Sequence, residues 1–390
     1  MNRNRIRSGP WAYAQALPSA IAAVLLVVGC GGKLDLGDNL ALYSGPVDPD
    51  ASPSAGGATT PGPIATEQGQ ATDIASDGKQ IYWFAEVGGT RDGVLKGCDP
   101  SDCRGTLVTY AAHQGTSAGI AADGKSVYWV AEQLVGMVTS YSIRGCPVSG
   151  CDGAGAREIG TAPVVGGFTS DGTYLYWFEA DKTVQRCSAV GCGQSPEVVT
   201  TLDGSPTSLA VDDSSVYVTV TVTQGTTEVG RVLAFDKSGG SPTRLLADNQ
   251  ESPGYVVVSG QRVLWANQHD NGAILSCPRD GCAGSTGSIA SAQSRPTRLA
   301  VDEANAYWVT DQGTALMAPG ADFVDIVRCP LAGCTSPTVL APQQQIRSQL
   351  VAAGASLFWL DPNPPLAGSS PPTNGIPVPW APASVLGVHK

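Results

Sequence analysis

The chain has 390 residues, of which only 15% are charged and 6% aromatic, with 48 glycines and 11 cysteines. Its formal charge of −11 speaks against a nucleic-acid partner, because a phosphate backbone needs a basic surface. Low charge with abundant glycine suits a turn-rich all-β protein and gives no sign of a basic or helical binding module.

Residues 1–29 read as a processing segment. Arg3, Arg5 and Arg7 give a positive start, Ala20 to Val28 is a short apolar run, and Gly29-Cys30 closes it. A mature membrane span needs about 20 apolar residues, so the run is a secretory signal. Val27-Val28-Gly29-Cys30 resembles a bacterial lipobox. The resemblance implies cleavage before Cys30, a lipid on its sulfur and acylation of the new amino terminus. Gly31 after the lipidated cysteine favours the outer membrane by analogy with the known sorting rule. Residues 30–61 are rich in Gly, Pro, Ser and Ala and form a flexible tether. Past the signal, 20 basic residues, three fewer than the 23 of the whole chain, face 34 acidic ones, a formal charge of −14. Such a surface repels anionic lipid, so the anchor itself must hold the protein to the membrane.

Residues 62–390 are an internal repeat. An aromatic pair follows an alternating run at Tyr82-Trp83, Tyr128-Trp129, Tyr176-Trp177, Tyr307-Trp308 and Phe358-Trp359, with Tyr217-Val218 and Leu264-Trp265 in the same register. The second members are 46, 48, 41, 47, 43 and 51 residues apart. Each unit reads as four strands, a to d, with a turn before the aromatic strand b. Seven such units predict a seven-bladed β-propeller of four-stranded antiparallel blades. One ring of each aromatic pair fills the space between sheets. Asp77, Asp123, Asp171, Asp212 and Asp302 read as formers of the a–b turns. Gly62 to Ala75 matches Gly287 to Ala300, a strand d running into a strand a. Pro63 to Glu67 is therefore expected to complete the last blade, beside a strand near Gly375 to Trp380, with Val385 to Val388 as the competing occupant. Residues 297 to 313, TRLAVDEANAYWVTDQG, resemble the YWTD repeat of receptor propellers, and the L-A-V-D form also resembles NHL repeats. The resemblance implies the propeller and not the receptor function.

Ten cysteines beyond Cys30 fall in pairs with four residues between: Cys98/Cys103, Cys146/Cys151, Cys187/Cys192, Cys277/Cys282 and Cys329/Cys334. Each pair is expected to sit between strands c and d. The even count, fixed spacing and secreted context predict disulfides. Two cysteines per blade, with no histidine beside them, are too few for a zinc site.

The b–c and d–a connections share the face on which propellers usually bind. Glu86, Glu132, Glu179, Asn267, Asp270, Asp311 and Asp361 lie at or beyond the ends of strands b, and His113 and His269 on neighbouring connections. This rim is the candidate ligand face. Three functions fit it: a non-catalytic platform for an envelope protein or polysaccharide, which is favoured; a lyase or hydrolase using His113 and His269 with the rim acids; and a cation-stabilised sensor. No catalytic motif is present, and no cofactor is expected. Clustered carboxylates would suit calcium, against the simpler reading of solvated loop ends.

Overall fold

The computed structural model describes residues 61–390 apart from 66–69, 88–91, 136–137, 152–154, 162–165, 226, 240–242, 283–284, 312–322, 347 and 362–383. The lipobox, Cys30 and the tether lie outside the described residues.

Alternating apolar residues and Gly/Asp turns fold into seven four-stranded antiparallel sheets. Blade one consists of Gln70–Ser76, Ile81–Val87, Asp92–Cys98 and Val108–Ala111. Blade two runs from Thr116 to Gly160, blade three from Gly166 to Thr201 and blade four from Ser205 to Gln250. Blade five runs from Pro253 to Gln293 and blade six from Thr297 to Gln344. Among the described residues the only helix is the single turn Cys103–Thr106, inside the first cysteine loop.

The last blade is completed from the other end of the repeat region. Its strands a, b and c are Val351–Ala353, Ser356–Asp361 and Ser384–His389, and Gly62–Ala65 adds the outer strand. Gly62 pairs with Gly387 and Pro63 with Leu386. The expected closure by the early strand is what forms, but its neighbour is Ser384–His389, and Gly375 to Trp380, expected there, lies outside the described residues. Sequence chemistry explains the correction. Pro377 and Pro379 lack the N–H groups that a strand paired on both sides must donate. Val385, Leu386 and Val388 are all buried, as a strand paired on both sides inside a blade requires.

The aromatic pairs are the packing between blades. Trp83, Trp129, Trp177, Trp265, Trp308 and Trp359 are fully buried, as are Tyr82, Tyr176, Tyr217 and Tyr307. The turn aspartates hold these tyrosines. One oxygen of Asp212 accepts the N–H groups of Ser214 and Ser215, and the other accepts the Tyr217 hydroxyl at 2.7 Å. Asp77 with Tyr82, Asp171 with Tyr176 and Asp302 with Tyr307 repeat the arrangement at 3.1, 3.0 and 2.7 Å. Asp123 bonds Tyr128 likewise. Blades five and seven have Ser259 with Leu264 and Ala353 with Phe358, so both partners are missing together.

All five cysteine pairs are disulfides: Cys98–Cys103, Cys146–Cys151, Cys187–Cys192, Cys277–Cys282 and Cys329–Cys334, with Cα–Cα distances from 4.9 to 5.8 Å. Their position differs from the expected one, because only the second member of each pair lies between strands c and d. Cys98, Cys146, Cys187, Cys277 and Cys329 belong to strand c itself and are buried. Pairing with strand b reaches them: Cys98 stands opposite Ile81, Cys146 opposite Val127 and Cys329 opposite Ala306. Cys151, Cys192, Cys282 and Cys334 follow in the c–d turn outside any strand, while Cys103 opens the helical turn. Each bond therefore ties the loop back onto the sheet rather than closing a free loop. Two of the turn cysteines also reach the preceding blade. Cys192 N–H donates to the Ile159 carbonyl and Cys334 N–H to the Ile289 carbonyl, both at 2.9 Å. The disulfides place the folded part in an oxidising, extracytoplasmic compartment. No helix among the described residues is long and apolar enough to cross a membrane.

Candidate functional site

Strand b carries its residues toward the rim, and its length decides where each acid ends. Glu86 and Glu132 lie inside strand b rather than beyond it, opposite Gln70 and Thr116 of strand a. In blade two strands b and c run on as a hairpin to Val135 and Val138, past the last pairing of either flanking strand. Blade four does the same, continuing to Gln224 and Thr227. Two hairpins therefore stand proud of the rim face. The turn cysteines Cys151, Cys192, Cys282 and Cys334 belong to the c–d turns at the opposite ends of the strands and take no part in this rim.

Other rim groups support the blades. Glu179, just past the end of strand b, turns back onto the indole of Trp177 and accepts its Nε1–H at 3.1 Å. Asn267 is buried and donates to Gln250 Oε1, which also accepts Trp265 Nε1–H at 3.0 Å. Asp361 is buried at the end of strand b, opposite Ser384.

The two histidines do not share a centre. His113 Nδ1 is 2.7 Å from Asp92 at the junction of blades one and two, largely exposed. His269 Nε2 is 3.2 Å from Glu251 in blade five. The rim does gather three of its candidates there: Arg295 contacts Asp270 at 2.8 Å and Asp311 at 3.8 Å, and its own N–H donates to the carbonyl of His269. This is an exposed ionic cluster. Among the described residues no three His, Cys, Asp or Glu side chains gather to hold a metal ion.

Sequence reasoning missed a second set of residues. Five strand d ends read Tyr/Leu/Ile-Ala-x-x-Gln: Gln68, Gln114, Gln250, Gln293 and Gln344. Gln68 lies outside the described residues. In the other four the side-chain N–H donates to the carbonyl two residues back. Gln250 then clasps Trp265 of the next blade, and Gln114 accepts from Arg144 of the next blade at 2.7 Å.

A third set surrounds the axis. The seven strands a form a closed inner ring, each touching the strands a of both neighbours. In six of them the pairing register with strand b shifts at the same place, just ahead of the apolar core. The residue at that place, one per blade, is Asp73, Gly119, Gly167, Ser208, Tyr255, Arg298 or Gln349. Several side chains reach the next blade. Ser208 accepts Val256 N–H, Arg298 Nε donates to the Ser348 carbonyl at 2.7 Å, and Gln349 lies 3.5 Å from Asp73. Burial pushes the Asp73 carboxyl up to about 6, against hydrogen bonds from Ile74 N–H, Gln349 and Ile120 N–H. The signal was in the sequence: a column varying from Asp to Arg to Gly immediately before a repeated apolar triplet.

No family model matches the chain, and no curated protein matches it. Solved structures do. The β-propeller domain of the Trilobed protease from Pyrococcus furiosus, described as having an open velcro topology, superposes with a TM-score of 0.50 at 8% identity. It covers 74% of this chain and 90% of that one. The shared feature is the propeller. Pyrococcus horikoshii acylaminoacyl peptidase gives a TM-score of 0.51 at 11% identity, and prolyl oligopeptidase B from Galerina marginata 0.51 at 12%. The matches cover 77% and 76% of this propeller chain, which spans about half the length of those peptidases (51% and 48%). At such identities the likeness is one of fold alone. Unlike the open velcro named for the first neighbour, this ring is closed by Gly62–Ala65.

Proposed function

We infer that the chain is a lipid-anchored protein of the cell envelope, whose propeller is a non-catalytic platform for a protein or polysaccharide partner. The observation that supports this most is the pair of hairpins from blades two and four standing proud of one face. Their outer strand edges lack a neighbour from their own blade, and such edges recruit other chains. The engagement of Glu179, Asn267 and His113 with neighbouring side chains favours a scaffold over an acid–base centre. Cys30 would supply the anchor and Gly31 the outer-membrane destination. The tether would let the platform stand off the lipid surface.

Capture tests the reading. Residues 31–390, produced without lipid in an oxidising compartment and immobilised, are challenged with solubilised envelope from the native cell. The expected result is recovery of one specific protein or glycan, lost when both hairpins are shortened and kept in the His113→Ala/His269→Ala variant. Capture indifferent to the hairpins would remove the platform reading. An activity abolished by either histidine substitution would replace it with the lyase or hydrolase.

A further inference from the structure

The inner ring holds two opposite charges that do not meet. Asp73 of blade one and Arg298 of blade six flank Gln349 of blade seven, and no ion pair joins them. Each is fixed by neutral groups. Asp73 accepts from Ile74 N–H at 2.9 Å and lies beside the Gln349 amide, while Arg298 directs Nε to the Ser348 carbonyl. Among the described residues these contacts leave the terminal nitrogens of Arg298 without a protein partner. Both side chains are partly exposed, and Gln349 is exposed. Neighbours cover the flanks of an inner strand, so this exposure faces the axis of the ring.

The backbone at this level is unusual. Arg298 and Tyr255, on adjacent blades, have φ of +53° and +50°, where blade three uses Gly167 at +66°. Left-handed backbone is costly for side-chain-bearing residues and clusters at functional positions. Glycine would relieve it at both places, yet an aromatic ring and a guanidinium stand there.

From this juxtaposition we propose that the axial channel binds a small ammonium–carboxylate zwitterion, an α-amino acid or short peptide, with its ammonium on Asp73 and its carboxylate on Arg298. One molecule of this class answers both uncompensated charges at once. The guanidinium fork suits a carboxylate bidentately. A simple anion would have to enter a protein of formal charge −11, and a simple cation would leave Arg298 unanswered. The proposal stands apart from the platform reading, because it concerns the channel and not the hairpins.

Calorimetry on residues 31–390 tests it, with each of the free amino acids, tri-alanine, and methylamine and acetate as half-ligands. At least one zwitterion is expected to bind, with affinity falling roughly tenfold or more in both Asp73→Asn and Arg298→Gln, and neither half-ligand matching it. Tri-alanine binding without any free amino acid would assign the site to peptides. A crystal structure of the wild-type protein grown with the best probe keeps the test open if a variant does not fold, and should place the probe between Asp73 and Arg298. The proposal is overturned if no probe binds at about 10 mM, if binding survives both substitutions, or if methylamine binds as tightly as any zwitterion.

Discussion

An aspartate at an a–b turn uses its two oxygens for two purposes: one closes the turn and the other holds a buried tyrosine. At Asp302, burial alone would raise the carboxyl, but Tyr307, the turn N–H groups and Lys390 outweigh it and bring it down to about 2. The folded state therefore releases this proton more readily than the unfolded chain. The stability gained is complete above the ordinary value of 3.8 and is lost as pH falls through 2. Asp302→Ala is expected to cost about 2–3 kcal/mol in denaturant unfolding at neutral pH, since it orphans a buried hydroxyl and two turn donors. Asp73 works in the opposite sense. Its raised carboxyl binds the proton more tightly when folded, so stability is highest below 3.8 and falls as pH rises through 6. Asp73→Asn should raise the melting temperature at neutral pH and flatten its dependence between about pH 4 and 7. A wild-type-like slope in the variant would contradict this. Gln250→Ala should cost about 1–2 kcal/mol by leaving Trp265 Nε1 unpaired, measurable by the same unfolding. The turn role of the aspartates was legible from the D-G punctuation at Asp77, Asp123 and Asp171 and from the equivalent place of Asp212 and Asp302 in the repeat. Their tyrosine partners were not, because the pairing shows only when blades five and seven are seen to lack both.

At the level of elements, strands and sulfur were legible because both follow short-range rules. Period-two alternation marks a strand, and four residues between cysteines fix the loop that a disulfide can close. Where strand c stops was not legible, so the first cysteine of each pair was expected in the turn, and it lies in the strand instead. Each closed loop is about six residues, so one bond is worth about 2 kcal/mol in the chain-entropy model. Cys187→Ser/Cys192→Ser should therefore lower stability by about that amount without changing the fold, as chemical denaturation with circular dichroism would show. Blade four already manages without sulfur. There Lys237, in the c–d turn, reaches back to Asp171 of blade three. Arg279 and Lys390 do the same to Asp212 and Asp302. The rim ends of the strands were no easier to read. Glu86 and Glu132 sit inside strands b because pairing continues past the aromatic pair, and only the opposite strand determines how far.

For the whole molecule, the repeat count and the closing strand came from self-similarity alone. The partner of that strand did not, since matching segments say nothing of which later segment is strand c; the prolines at 377 and 379 do. Removing residues 61–65 would expose the edge of Ser384–His389 along its length. A loss of about 3–5 kcal/mol, with oligomers appearing on size-exclusion chromatography, is the expected outcome. The inner ring was hardest to read, because it brings together residues 48 to 276 positions apart, and no local pattern announces such meetings.

The proposed envelope platform requires export, lipid anchoring and pinning by sulfur together. Mass spectrometry of the protein purified from its native envelope under non-reducing conditions tests this most directly. It should find an amino-terminal peptide beginning at Cys30 and carrying lipid, together with five disulfide loops and no free thiol. An amino terminus upstream of Cys30, an unmodified Cys30 or reduced cysteine pairs would contradict it.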